Sequence, residues 1–346
     1  MSEVKHRAST NRVPKIALIG CGAIAEIYHL PALAKNPDVL QNVVLVDTSE
    51  TRLNELGRKF GVQHKVQDYH TILNEVDGAI LAVPHHLHHR MTMEFLTEGV
   101  PVLCEKPLAE LPSEAREMVA LSKKKGIPLA ANHTRRLFPA NIQLKEILDR
   151  KVLGKLKSIR YVDGNPFTWP SASGFYFKKA SPTGVLLDRG VHSIDLICWW
   201  LNAKPTLISS ENDSFGGFEG ASLVKMRQDT CDIEIKLSWL TRLRNTYTIV
   251  GELGQIEGGI EEWDAVTIQY HNGKSSKMNF PTPERDYKDF GGRMIANFID
   301  VIQKGARPLV PAEEVLPSIE LIDECYKTVK RFDMPWLTPS EFQYAS

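Results

Sequence analysis

Cysteine is scarce in this chain and never clustered. Five cysteines (Cys21, Cys104, Cys198, Cys231, Cys325) are scattered over 346 residues with no CxxC pair. An odd, dispersed set excludes a disulfide framework and zinc-ligand spacing. Long apolar runs are lacking as well: the longest, such as 78–84, fall far short of the roughly 20 residues that span a bilayer. The first twelve residues are polar and basic without an apolar core, so a secretory signal is not expected there, and 1–12 reads as a flexible lead-in. An excess of one charge is missing too, since Lys plus Arg and Asp plus Glu stand at 42 each. No global field therefore favours nucleic acid or an anionic membrane. These absences together imply a reducing, cytoplasmic setting.

What remains is globular composition, 42% apolar and 24% charged, over a length too great for one hydrophobic core. Two domains are expected, 13–133 and 134–335. In the first, short apolar runs (15–19, 42–47, 62–66, 78–83, 101–105, 127–131) alternate with helical stretches (to about 35, 50–60, 90–98, 113–125). Strands separated by crossover helices predict an α/β unit, a doubly wound parallel sheet of the Rossmann type. After about Leu153 the pattern changes. Segments 157–162, 232–239 and 245–250 alternate apolar and polar residues, as strands with one wet face do. Helices are expected at 184–201, 287–304 and 312–331. The second domain reads as α+β on a large, open, mostly antiparallel sheet.

Gly20-Cys21-Gly22-Ala23-Ile24-Ala25 follows the first strand and opens a helix, the context that a dinucleotide fingerprint requires. Gly20 permits the tight turn, Gly22 allows close approach of a pyrophosphate, and Ala25 keeps helix and strand together at a helix N-terminus that favours negative charge. Asp47 ends the second strand, where an acid accepts hydrogen bonds from ribose hydroxyls and repels a 2′-phosphate. NAD is therefore expected over NADP, with Thr48, Ser49 and Arg52 the residues able to receive a phosphate instead. Glu105-Lys106-Pro107 follows the fifth strand, at the carboxyl edge where α/β ligand crevices form. The proline restricts Lys106 to extended geometry, and a lysine beside a cationic nicotinamide ring would have a lowered pKa suited to proton transfer.

The stretch from Ala82 to Glu110, AVPHHLHHRMTMEFLTEGVPVLCEKPLAE, closely resembles the Gfo/Idh/MocA family of sugar and cyclitol dehydrogenases. The resemblance continues through NHTRRLFP (132–139) and GVLLDRGVHSIDLICWW (184–200). It implies that Gly20, Gly22, Ala23 and Ile24 hold the pyrophosphate and Asp47 the adenosine ribose. Pro84 and His88 would line the nicotinamide side, supported by Glu105, with Lys106 at the reacting hydroxyl. In this family the Lys-Pro bond can be cis. His85 departs from the asparagine often found at its position.

Asp188 and His192 are four apart on an apolar-spaced helix, so they project from one face, and Asp195 lies near it. A histidine with a carboxylate one turn away can accept a hydroxyl proton, because the acid stabilises the imidazolium. On spacing alone a surface ion pair fits better, but the resemblance places the pair on the family's catalytic acid and histidine. The base is then His192 or Lys106, with Asp188 positioning substrate hydroxyls. His85, His86, His88 and His89 look like a metal cluster, yet NAD chemistry needs no metal, and none is expected.

Arg135 and Arg136, just past the sixth strand, are candidate substrate residues, with Arg160, Lys178, Lys179 and Arg189 adding positive charge. Arginine forks suit phosphate or carboxylate, which points to an anionic sugar such as a nucleotide-linked one. Trp169, Phe175, Tyr176 and Phe177 lie in a Pro/Gly/Ser-rich stretch able to cover it. The expected reaction is oxidation of a secondary hydroxyl, at C3 by family habit. Two alternatives remain: a glycoside-cleaving or epimerising relative that oxidises transiently, and a non-catalytic dinucleotide-sensing regulator. Self-association across the open sheet, as a homodimer or homotetramer, is also expected.

Overall fold

The computed structural model describes residues 12–170, 184–214 and 218–333. The chain forms two compact units, one running to Thr134 and resumed at Glu284–Leu316, the other built from the rest. Among the described residues no helix is long and apolar enough to cross a membrane.

The first unit is organised around six parallel strands: β1 (Ile16–Ile19), β2 (Val43–Val46), β3 (His64–Val66), β4 (Gly78–Leu81), β5 (Val102–Cys104) and β6 (Leu129–Ala131). Their order, β3-β2-β1-β4-β5-β6, is the doubly wound one with β1 beside the reversal of winding. β1, β2 and β4 are buried along their whole length, which is why they read as unbroken apolar runs. Ile19 pairs with Val46 on one side and Leu81 on the other. Past the strand ends the ladder continues through Gly20 N–H to Val46 C=O, Ala82 to Ile19, Glu105 to Leu81, and Asn132 to Cys104. Gly20, Asp47, Ala82, Glu105 and Asn132 therefore emerge along one carboxyl edge.

The sequence reading assigned 134–335 to the second domain, and the structure corrects this for residues 284–316. The helix Tyr287–Lys304 is amphipathic and buries Phe290, Met294, Phe298 and Ile299. It presses so closely on β4 that a Cβ at Gly78 would lie 2.4 Å from the Ile302 side chain. Ala131 N–H donates to Val310 C=O at 3.0 Å, extending the β6 edge. Apolar periodicity marks a helix but does not say which core receives its face. The helix expected at 312–331 also divides: a tight turn at Ala312–Val315, a helix at Leu316–Thr328, and a two-residue strand, β15 (Lys330–Arg331).

Among the described residues the second unit carries a nine-stranded sheet. It comprises β7 (Leu156–Gly164), β8 (Thr206–Asn212), β9 (Ala221–Gln228), β10 (Cys231–Ser238), β11 (Thr246–Gly251), β12 (Gly254–Gly259), β13 (Ala265–Tyr270), β14 (Ser275–Asn279) and β15, in the order β14-β13-β12-β11-β7-β10-β9-β8-β15. Pairing is antiparallel except between β7 and β10 and between β8 and β15. In β10, Cys231, Ile233, Ile235 and Leu237 are buried while Asp232 and Lys236 are exposed, the alternation expected of a sheet with one wet face. The buried face joins Leu144, Ile194, Ile197, Trp200 and Leu321 of three helices in one core.

Candidate active site

The glycine turn shows why its residues are what they are. Gly20 has φ +95°, and a Cβ there would sit 2.2 Å from the Ala82 carbonyl oxygen, so only glycine fits. Gly22 is exposed, with nothing within 4 Å of where its Cβ would stand. The chain then enters a helix with a π-helical turn at Ala25–His29, on which Ala25 is fully buried. Asp47 Oδ2 accepts from Cys21 N–H and Oδ1 from Ser49 N–H, both at 2.7 Å. An open cradle over Gly22 at a helix start and a fixed carboxylate at the next strand end fit a dinucleotide.

Further along the same edge Glu105 is a buried hub. Its Oε1 lies 2.8 Å from His29 Nε2 and accepts from Asn132 Nδ2 at 2.6 Å, while Oε2 accepts from the Lys106 N–H at 3.2 Å. Burial opposes its ionisation most strongly, but His29, Asn132 and the Lys106 charge outweigh that and hold it below the usual carboxylate range. The Lys106–Pro107 peptide is cis, and Lys106 is half-buried. Neither His29 nor Asn132 carried a signal in sequence beyond Asn132 opening the NHTRR segment.

His88 was expected to line the nicotinamide side. Instead it is wholly buried, with Nδ1 2.8 Å from Pro107 C=O and Nε2 2.9 Å from Val83 C=O. It therefore brackets the β4 and β5 loops from behind, holding the lysine turn in place. Burial pushes its pKa down against the upward pull of the two carbonyls. His85 stands edge-on to it at 5.6 Å, and burial pushes its pKa well down too. His86 is exposed and His89 pairs with Glu117 at 2.9 Å, so the four histidines diverge. Among the described residues no His/Cys/Asp/Glu group is arranged to hold a metal.

In the second unit Asp188 sits in a π-helical turn, Leu186–Gly190, that runs into the helix Val191–Leu201 carrying His192. A π-turn of this kind recurs at functional sites. Asp188 Oδ2 accepts from the Trp239 indole at 3.2 Å, and His192 is buried. Glu219 anchors the start of the segment: its backbone C=O accepts from Val185 N–H, and its Oε1 from Leu186 N–H at 3.1 Å and the Tyr326 hydroxyl at 2.8 Å. A Cβ at Gly184 would fall 1.8 Å from that carboxyl, so glycine is required there. Burial raises the Glu219 pKa despite these bonds. Trp239 and Glu219 are too far away in sequence to be associated with Asp188 by pattern.

The arginines expected to face substrate have partners of their own. Arg136 is 3% exposed and makes a bidentate pair with Asp195 at 2.7 and 2.8 Å. Arg135 reaches Asp163 at 2.9 Å and the Tyr161 hydroxyl at 3.0 Å, and Arg189 reaches the other Asp163 oxygen at 2.6 Å. Arg160 stands on the wet face of the sheet, 3.4 Å from Glu234. Lys178, Lys179, Phe175, Tyr176 and Phe177 lie outside the described residues.

Comparison with known proteins agrees with this architecture. Residues 14–133 match the oxidoreductase family with an NAD-binding Rossmann fold, and 141–257 match the GFO/IDH/MocA C-terminal domain. A trans-1,2-dihydrobenzene-1,2-diol dehydrogenase from Mus musculus is 26% identical over 90% of this chain and 96% of its own. Escherichia coli D-glucoside 3-dehydrogenase is 29% identical over 54% of each chain. Another bacterial relative, a rhizopine catabolism protein from Rhizobium meliloti, is likewise matched over only 62% of its length. Among solved structures, KijD10, a 3-ketoreductase from Actinomadura kijaniata in complex with NADP and TDP-benzene, superposes with a TM-score of 0.78. It is 21% identical, over 92% of this chain and 99% of that one.

Proposed function

Because the chain belongs to the Gfo/Idh/MocA family of NAD(P)-dependent oxidoreductases, we propose that it oxidises a secondary ring hydroxyl of a sugar, at C3, to the ketone. The observation that supports this best is the anchored helix of the second unit. Asp188 is fixed by Trp239 one turn before buried His192, and the helix start is pinned by Glu219. A dinucleotide-sensing regulator has no use for a proton-transfer pair so held.

A bound NAD supplies the hydride acceptor. Gly20, Gly22, Ala23 and Ile24 would hold its pyrophosphate and Asp47 its adenosine ribose, with Pro84, Glu105 and Lys106 toward the nicotinamide. His192 takes the hydroxyl proton, Asp188 stabilises the resulting imidazolium and orients neighbouring hydroxyls, and Lys106 assists as a hydrogen-bonding cation. The choice of C3 is supported by the names of the E. coli relative and of KijD10. Arg135 and Arg136 are paired with Asp163 and Asp195, so they lend no support to an anionic substrate. We therefore favour a neutral sugar or glycoside over a nucleotide-linked one. The wet face of the nine-stranded sheet, with Ile208 59% exposed, is the surface we propose for a homodimer or homotetramer. Five free, buried cysteines support a cytoplasmic setting.

The test is a panel of free sugars, glycosides, sugar phosphates and nucleotide sugars, assayed by NADH absorbance and product analysis. Steady NADH formation with a neutral sugar and a 3-keto product is expected. Substrate loss without net NADH would replace this reading with transient oxidation, and turnover of nucleotide sugars alone would reverse the substrate class.

A further inference from the structure

Asp47 is the expected reason for rejecting NADP, yet Arg52 reaches the same glycine turn and Lys59 is tied to Arg52 through Glu26. Arg52 lies in the first turn of the helix Glu50–Phe60, which Ser49 caps at the end of β2, and Lys59 lies in its last turn. Free cations so near a ribose 2′ position would welcome a phosphate. Arg52 is not free. Its Nε donates to the Cys21 carbonyl of the glycine turn at 2.9 Å, Nη1 to Glu55 at 2.9 Å, and Nη2 to Glu26 at 2.8 Å. Glu26, on the helix that follows the glycine turn, turns its other oxygen to Lys59 Nζ at 2.7 Å.

One carboxylate therefore holds both cations, one on each oxygen. Glu26 and Arg52 are each under a third exposed, so the pair is only partly screened by solvent. With Glu55 and Asp47 nearby, acids outnumber bases in this cluster. The same residues set the geometry of the glycine turn: the Cys21 N–H is held by Asp47 and its C=O by Arg52.

We propose that Glu26 is a specificity residue that makes the chain prefer NAD, by engaging Arg52 and Lys59 so that neither can receive a 2′-phosphate. It acts through these two cations, which makes it a positioning residue rather than a catalytic one. The inference rests on the dinucleotide reading of the glycine turn, and it needs no knowledge of the substrate.

Isothermal titration calorimetry of the full chain with NAD and NADP tests it directly. Wild type is expected to bind NAD more tightly. Glu26→Gln keeps the shape of the side chain but removes the charge, and should tighten NADP binding about tenfold while changing NAD affinity less than about twofold. Adding Arg52→Met and Lys59→Met to Glu26→Gln should return the NADP-to-NAD affinity ratio to its wild-type value. An unchanged ratio in Glu26→Gln would overturn the proposal. So would a gain that persists without the two cations, because Glu26 would then act by plain repulsion. A wild-type chain that bound neither dinucleotide would bring down the reading of the turn as well. A chain that bound both with an unmoved ratio would bring down only the role of Glu26.

Discussion

Replacing Asp195 by alanine should be one of the most damaging single changes in the second unit. Arg136 and Asp195 are 59 residues apart in sequence and are 3% and 1% exposed. Truncating Asp195 removes the bidentate carboxylate from a buried guanidinium, which typically costs about 3–5 kcal/mol. The Trp199 ring, 5.5 Å from the guanidinium carbon, still offers a cation–π contact worth roughly 0.5–2 kcal/mol, so the lower end of that range is expected. Removing both charges in Arg136→Met with Asp195→Leu should come back to within about 1 kcal/mol of wild type, because an apolar pair of similar volume carries no desolvation penalty. Among the described residues every tryptophan (Trp169, Trp199, Trp200, Trp239, Trp263) belongs to the second unit, so urea unfolding followed by intrinsic fluorescence reports on it. A single variant that loses less than about 1 kcal/mol, or a double variant as damaged as the single one, would refute the reasoning.

Gly20→Ala should lower stability by about 2–4 kcal/mol, since it combines a left-handed φ with a clash against Ala82 C=O. Gly22→Val should leave urea stability within about 0.5 kcal/mol and abolish dinucleotide binding by calorimetry, because its side chain enters open space over the turn. His85 and His88 titrate lower in the fold than in the unfolded chain, whose histidines sit near about 6.5. Their contribution is complete above that pH and is lost as pH falls toward their folded values, so the urea midpoint by far-UV circular dichroism should drop between roughly pH 7.5 and 5.5. A flat or rising midpoint would contradict this. Lys106→Ala and His192→Asn should each lower kcat by about 10²–10⁴ with NAD affinity nearly unchanged, and activity within tenfold of wild type in both would remove them from the chemistry.

Local signals were legible where the chemistry is local. Gly20, Gly22 and Asp47 could be read because a strand, a turn and a helix start must be consecutive in the chain, and Lys106 because its proline follows directly. Asp188 and His192 were candidates on α-helical spacing, and the structure places Asp188 in a π-helical turn just before the α-helix of His192. His29 and Glu105 are 76 residues apart, and Glu219 and Leu186 are 33 apart, so no spacing rule connects either pair. His88 illustrates the opposite case: its position was visible, but only packing showed that its two ring nitrogens stand against backbone carbonyls.

The sequence by itself determined the order of elements and the glycine turn after the first strand, because each depends on neighbours within a few positions. Tertiary structure decided which charges are available. Arg135, Arg136, Arg189 and Arg52 look alike as letters, yet each is engaged by an acid brought from elsewhere in its unit, Arg135 and Arg189 sharing the one carboxylate of Asp163. It also decided that the helix Tyr287–Lys304 returns to the first core, since an apolar stripe fixes a helix but not the surface that buries it.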